Sequence, residues 1–188
     1  MDLPFGTPES ATFVTNVGLV TSDGPIGSNI TAIEWTHHIS YQPGLVAVCI
    51  DVGDATEENI KATKEFGISL AASDQNVLAS LAGNTKGRKV DKIGFLRELG
   101  FTFVPAEHIR CLLVEGASLQ LECRLFQELQ PGNRTVFIGE VLKATVFPEK
   151  TPLIYHRGKY WNVGEQVRKP GQEELEKQKD IIAKYAKN

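Results

Sequence analysis

A mainly β chain, closed or nearly closed into an antiparallel barrel with a few flanking helices, is what this sequence predicts. Three observations carry the prediction. β-Branched residues are abundant, with 15 Val, 13 Ile and 13 Thr, and they suit the pleated, half-buried surface of a sheet. They fall in short runs broken by Gly, Pro, Asn and Asp, the pattern of strands and turns. Helical stretches are few and interposed among many strand runs, which suggests a closed or nearly closed barrel.

Six strands are predicted, over Thr12 to Thr21, Gly27 to Trp35, Leu45 to Asp51, Phe66 to Ala71, Ala117 to Phe126 and Thr135 to Phe147. In the fifth, Leu119, Leu121, Cys123 and Leu125 alternate with Gln120, Glu122 and Arg124, which suits one buried and one wet face. The sixth is long, and Gly139 marks a bend or bulge within it. Helices are predicted over Thr56 to Glu65, capped by Thr56 with Gly67 just beyond its end, and over Asp74 to Ala82, which stops at Gly83. A shorter one runs from Asp91 to Leu99 before Gly100. The last spans Gly171 to Lys187, with Glu173–Lys177 and Asp180–Lys184 at i,i+4 spacing. Arg168-Lys169-Pro170-Gly171 ahead of it has linker composition. The expected organisation is a barrel domain over residues 1–167 and a helical extension over 168–188.

Leu, Ile, Val and Phe make up 54 of the 188 residues, enough to fill one core at this length. No apolar run is long enough to cross a membrane as a helix, and Met1-Asp2-Leu3-Pro4-Phe5 lacks a leader's basic and apolar regions. Cys49, Cys111 and Cys123 are an odd number with no Cys-x-x-Cys pair, which points to a reducing, cytoplasmic setting and away from zinc. Net charge is −3, so nothing draws the chain to nucleic acid or an anionic membrane surface.

Common catalytic signatures are missing: there is no Gly-x-Gly-x-x-Gly, no phosphate loop and no Gly-x-Ser-x-Gly. His37 and His38 are adjacent, so in extended backbone they face opposite ways, and no metal site is expected. Three features carry chemistry instead. Ser28-Asn29-Ile30-Thr31-Ala32-Ile33-Glu34-Trp35 combines small polar side chains with Ala32, which lets a flat ligand approach; an edge strand without a ligand has the same composition. Thr85-Lys86-Gly87-Arg88-Lys89-Val90-Asp91-Lys92 is a cationic loop with the chemistry to wrap a phosphate, or simply to be solvated. Gly53-Asp54-Ala55-Thr56 opens a helix whose free amides favour an anion, although Asp54, Glu57 and Glu58 already supply negative charge there.

Taken in order, these segments resemble the flavin reductase-like, FMN-binding split-barrel family, which includes flavoredoxin and archaeal ferric reductases. The resemblance runs from about Val17 to Gly164. It rests on Ser28 to Trp35 continuing through Ser40 to Pro43, on Thr56 to Phe66, on Gly87 to Ile93, on Leu121 to Arg124 with Thr135 to Val141, and on Pro152 to Tyr160. It implies a six-stranded split barrel that holds FMN near a homodimer interface. It implies that Ser28, Asn29, Ile30, Thr31 and Ala32 line the flavin ring, that Asp51 and Thr56 follow the ribityl chain, and that Arg88 and Lys92 neutralise the phosphate. The flavin carries the redox chemistry, so no catalytic side chain is required. NADH or NADPH is the implied reductant, with free flavin, a ferric chelate or another small acceptor beyond it. Where family reductases often carry Gly-Asp-His-Thr, this chain has Gly132-Asn133-Arg134-Thr135. Arg134 is thus the candidate on the nicotinamide side, through its fork of donors. The lost imidazole also motivates a second reading, an electron carrier that exchanges with a protein partner instead of oxidising NAD(P)H.

Overall fold

The computed structural model describes residues 2–186. In chain order the elements are α1 (Pro8–Ala11), β1 (Thr15–Asn16), β2 (Gly18–Ser22), β3 (Asn29–Ile33), β4 (Thr36–Ser40), β5 (Leu45–Asp51), α2 (Ala55–Thr63), β6 (Glu65–Leu70), α3 (Asn76–Asn84) and α4 (Lys92–Glu98). They continue with β7 (Phe103–Pro105), β8 (Leu112–Val114), β9 (Leu119–Leu129), β10 (Arg134–Val146), β11 (Ile154–His156), β12 (Lys159–Trp161) and α5 (Gln172–Lys184).

Seven strands form the main sheet in the order β3-β2-β6-β9-β10-β5-β4, antiparallel throughout. Its two edges, β3 and β4, are consecutive in the chain and joined only by Glu34 and Trp35. A flat sheet of this order would separate the edges by roughly 29 Å at ~4.8 Å per strand. The link spans only about 10 Å, so the sheet must curl until its edges meet. The result is a barrel split between β3 and the β5–β4 pair, and that split is where the cleft lies. The Trp35 carbonyl accepts from the Cys49 amide at 3.1 Å and extends the β4–β5 ladder into the link, and Asn16 Nδ2 donates to the Thr36 carbonyl at 2.7 Å.

Two cores share the barrel wall. The interior holds Val20, Val48, Ile50, Ile60, Phe66, Ile68, Cys123 and Phe137. On the outer face α3 and α4 pack Leu78, Ala79, Ala82, Ile93 and Leu96 against Leu19 and Ile30. Leu19 and Val20 are neighbours in β2 and enter different cores, as a period of two requires.

The mainly β barrel stands as expected; the strand count does not. Thr12 to Thr21 breaks in two, because β1 leaves the main sheet to pair with β11. Gly27 to Trp35 breaks at the Glu34–Trp35 link, and the residues after it become the opposite edge. β4, β7, β8, β11 and β12 are additional strands, each of three to five residues. In β9 the expected inner row is inside, yet Gln120 and Glu122 are buried as well. The segment through β7 and β8 covers them: Gln120 donates to the Val114 carbonyl, and Glu122 accepts from the Glu107 and His108 amides. The bend at Gly139 is present as a register shift against β9.

Helix ends also shift. α2 is capped by Asp54, which accepts from the Thr56 amide, and it ends on Lys64 in the left-handed region. Gly67 is therefore no cap; it lies inside β6, where the Thr21 hydroxyl and Leu113 fill the space of its missing side chain. α3 runs on through Gly83 to Asn84. α5 forms, with Glu173 and Lys177 paired at 2.9 Å; Lys187 and the side chain of Asp180 lie outside the described residues. No helix of the described chain is long and apolar enough to cross a membrane.

Candidate functional site

Three adjoining cavities open along the split, of about 130, 360 and 500 Å³. Glu34 borders all three. The smallest lies between β3 and β5 and is lined by Thr31, Ala32, Trp35, Cys49, Asp51, Thr85, Lys86 and Arg134, among others. The second continues past Ala32 and Gly83 to Ser80, Tyr155 and Tyr160. The third lies beyond Trp35 and Arg134, beneath the N-terminal segment.

β3 is an edge strand, so one side of its backbone is unpaired. The Ile30 carbonyl is on that side, where Lys92 reaches it. Ala32 is two residues on and faces the same way, so its amide and carbonyl are offered to the cleft next to its small side chain. Gly83 stands opposite; a methyl group built on it would touch Ala32 at 3.5 Å. The missing side chain lets α3 pack close to Ala32, and the open space lies beside that contact, between β3 and β5.

The β2–β3 loop that positions this edge is held by one buried side chain. Asn59 of α2 accepts from the Ile26 amide and donates to Ser22 Oγ and to the Gly27 carbonyl. Behind the site Glu57 is buried and accepts from Lys61, the Thr135 hydroxyl and the Gly53 amide. Burial pushes its carboxyl up, but these hydrogen bonds outweigh burial and hold it below the usual carboxylate range.

The fold sends three of the four cations of the 85–92 loop to three different places. Thr85 and Lys86 line the cleft, and among the described residues Lys86 makes no ion pair. Arg88 faces outward, where it donates to the Gly53 carbonyl at 2.9 Å and pairs with Glu58. Lys92 is buried, and its ammonium donates to the carbonyls of Ile30 at 2.9 Å and Ala82 at 2.8 Å. It fastens α3 and the loop to the edge strand. Burial first, and the like charge of Lys86 after it, lower it to about 8 against the raising effect of Asp54. The expectation that Arg88 and Lys92 contact a phosphate therefore meets two side chains already committed to protein partners. Lys86 is the cation that the cleft receives.

The other expected residues divide similarly. Thr31, Ala32 and Asp51 are in the cleft. Ser28 is exposed in the loop before β3, and Ile30 is buried in the outer core. Asn29 and Thr56 are buried and bonded to each other at 2.8 Å. That pair braces the 85–92 loop, since the missing side chain of Gly87 makes room for the Asn29 amide. Sequence reasoning missed Glu34, Lys86, Tyr155 and Tyr160 as lining residues. Glu34 and Lys86 sit inside segments already singled out; their role depends on where the barrel splits.

Arg134 is at the junction of the first and third cavities. Its Nη1 pairs with Asp51 at 2.7 Å, and its guanidinium lies over the Trp35 ring at 5.1 Å. Its Nε is buried and has no hydrogen-bond partner. A buried donor left unmade is costly, and Arg134 borders two of the cavities. Burial raises the Glu34 carboxyl, and Arg134 opposes this. Burial also raises Tyr155, with the Glu34 charge adding to it.

A split β-barrel with a cleft along one edge strand, a cation at one end and an arginine Nε without a partner at the other defines a class. The flavin reductase like domain matches residues 10–164, and the chain belongs to that family; it is a flavin reductase-like oxidoreductase. An NADH-dependent FAD reductase of Streptomyces globisporus is 27% identical over 149 residues, covering 79% of this chain and 79% of its own. The reductase component of a 4-nitrophenol 4-monooxygenase/4-nitrocatechol 2-monooxygenase of Rhodococcus opacus is 30% identical over 153 residues, covering 79% of this chain and 74% of its own. Among solved structures, flavoredoxin of Desulfovibrio vulgaris (Miyazaki F) superposes with a TM-score of 0.75 at 25% identity, covering 92% of this chain and 98% of its own.

Proposed function

We propose that this protein is an NAD(P)H-dependent flavin reductase that holds FMN in the split and passes electrons to a small acceptor. The observation that carries the reading is the cleft between β3 and β5, with the free edge of β3 on one side and Lys86 at its end. The donor set suits a flavin: backbone groups of Ala32 for the polar ring edge, and the Thr85 hydroxyl with the Lys86 ammonium for a phosphate. Bound FMN supplies the redox chemistry, and the chain binds, orients and shields it. A second copy completes the assembly the family resemblance implies, a homodimer; the exposed side chains of Phe126, Leu129, Leu142 and Val146 on β9 and β10 support it.

The test is the visible spectrum of the FMN-loaded protein, read before and after anaerobic mixing with NADH or NADPH. Bleaching is the expected result, and the faster donor identifies the nicotinamide. A flavin that neither donor bleaches would reject the reductase. The electron carrier would then be the better reading, motivated by Arg134 where an imidazole is usual in such reductases.

Charge reversal at Lys86, as Lys86→Glu, is expected to weaken FMN binding roughly tenfold or more, the low end for losing one charge-assisted hydrogen bond. Fluorescence titration measures it, and the melting temperature of the flavin-free protein should stay the same because Lys86 is exposed. Arg134→Leu is expected to raise the KM for the reduced nicotinamide roughly tenfold by the same arithmetic, with FMN affinity changing far less. Equal losses in both would place Arg134 on the flavin instead.

A further inference from the structure

Glu34 is the acid that all three cavities share, and holding the flavin gives it nothing to do. It sits in the two-residue link that joins the edges of the sheet. It is two residues beyond Ala32, at most about 7 Å from it along the backbone, so it borders the same cleft as the proposed ring site. The residue is half-buried, and among the described residues its carboxylate makes no hydrogen bond or ion pair.

The other charges around the split are engaged. Arg134 of β10 pairs with Asp51 of β5 and lies over Trp35. Asp54 accepts from the Thr56 amide at the start of α2. Lys86 stands where the flavin reading puts the phosphate, and Arg157 lines the third cavity, beneath the N-terminal segment. Tyr155, Tyr160 and Cys49 are neutral groups that burial keeps protonated. Of the three carboxylates that line the split, Glu34 is the one without a partner among the described residues.

We propose that Glu34 takes up a proton each time the bound flavin is reduced, so that two electrons enter the site together with two protons. The inference rests on the flavin reading above and assigns the proton balance of that site to one residue. Reduction by hydride adds one negative charge to the ring. In a partly desolvated cleft this charge and the Glu34 carboxylate repel each other, and a like charge favours the neutral form of an acid. Burial already raises Glu34, so it costs less to neutralise than Asp51 or Asp54, whose partners favour the carboxylate.

The step balances. A C–H bond of NAD(P)H breaks, its hydride forms an N–H bond on the ring, and NAD(P)⁺ leaves. Glu34 takes one proton from water and forms an O–H bond. The negative charge gained by the ring equals the charge lost at Glu34, so the net charge of the site is unchanged. Glu34 gives the proton back when the electrons leave.

The experiment is a spectroelectrochemical titration of the FMN-loaded protein at steps between pH 6 and 8, beside Glu34→Gln. Each proton taken up with two electrons lowers the midpoint potential by about 30 mV per pH unit, a tenfold change in the reduction constant. The parent should fall by about 60 mV per pH unit and Glu34→Gln by about 30 mV. The reduced-minus-oxidised infrared difference spectrum should show a protonated-carboxyl band in the parent. Glu34→Gln should lack that band and Glu34→Asp should keep one, a signature that a merely structural role would not produce.

Equal slopes in the parent and Glu34→Gln, or a carboxyl band that survives in Glu34→Gln, overturn the proposal, because the second proton then goes elsewhere. FMN uptake, measured first, separates this failure from that of the flavin reading. A protein that takes up no FMN overturns the flavin reading and the inference with it. A parent that binds FMN and shows a one-proton slope overturns the inference alone.

Discussion

The protein should gain stability as the pH rises from 8 to 9, and a Lys92→Met variant should not. In the folded chain the Lys92 ammonium is held down at about 8 by burial; in the unfolded chain it returns to 10.5. Between those values the unfolded state binds more protons, so the free energy of unfolding rises with pH. At ~1.4 kcal/mol per unit the whole window is worth on the order of 3 kcal/mol, and its first unit about 1 kcal/mol.

Cys111 and Cys123 act in the opposite direction. Burial pushes each thiol from 9.0 up to about 12, so the folded state keeps protons that the unfolded chain releases above pH 9. The stability of the parent should therefore climb to a maximum near pH 9 and then decline, and that of Lys92→Met should only decline. Urea unfolding at steps between pH 7 and 10 measures both curves. A parent curve that stays flat from pH 8 to 9 would mean that the Lys92 ammonium is in contact with water and not buried beneath β3.

Gly139→Ala is expected to cost about 1–3 kcal/mol, the range for overfilling a packed core. A methyl group there would stand 2.5 Å from Phe66 Cζ and 3.0 Å from Cys123 Cβ. Both neighbours are fully buried in the barrel interior, and the Cys123 contact is to an atom beside the backbone. Gly139 is also where β10 shifts register against β9, so the strands cannot part without losing ladder hydrogen bonds. Gly132→Ala is the control, since nothing lies within 4 Å of a methyl group at that position; it should change stability by less than ~0.5 kcal/mol. Denaturant midpoints of the three proteins decide it. Equal stability of Gly139→Ala and the parent would mean that the Phe66 ring has room to swing away.

Much of the barrel was legible because strand signals are local. The alternation through Leu119, Leu121, Cys123 and Leu125 marks an inward row in any sheet, and Gly139 marks a bend. The wet face of β9 was not legible. Gln120 and Glu122 are buried by β7 and β8, short strands with no periodic signal of their own, and their partners are backbone groups brought in from the 106–114 stretch. α2 showed the same limit. Its cap was assigned to Thr56, a good capping residue, but Asp54 takes the role and Thr56 is buried against Asn29.

The site was legible as segments and illegible as roles. Residues 28–35 and 85–92 were both singled out by composition, and both border the cleft. Within them the pattern of residue types cannot say that Lys86 opens onto the cleft, that Arg88 clamps the outside and that Lys92 lies beneath the edge strand. Those three cations differ only in what packs around them.

The sequence by itself determined the fold class, most of the main strands and the family, because periodicity, turn residues and ordered motifs are written within short stretches. Only the tertiary structure decided where the barrel splits, which residues face the split and which charges are already spent on protein partners. Those depend on closure: the two edge strands are neighbours in the chain, but the cleft exists only because five other strands curl the sheet round until those edges meet.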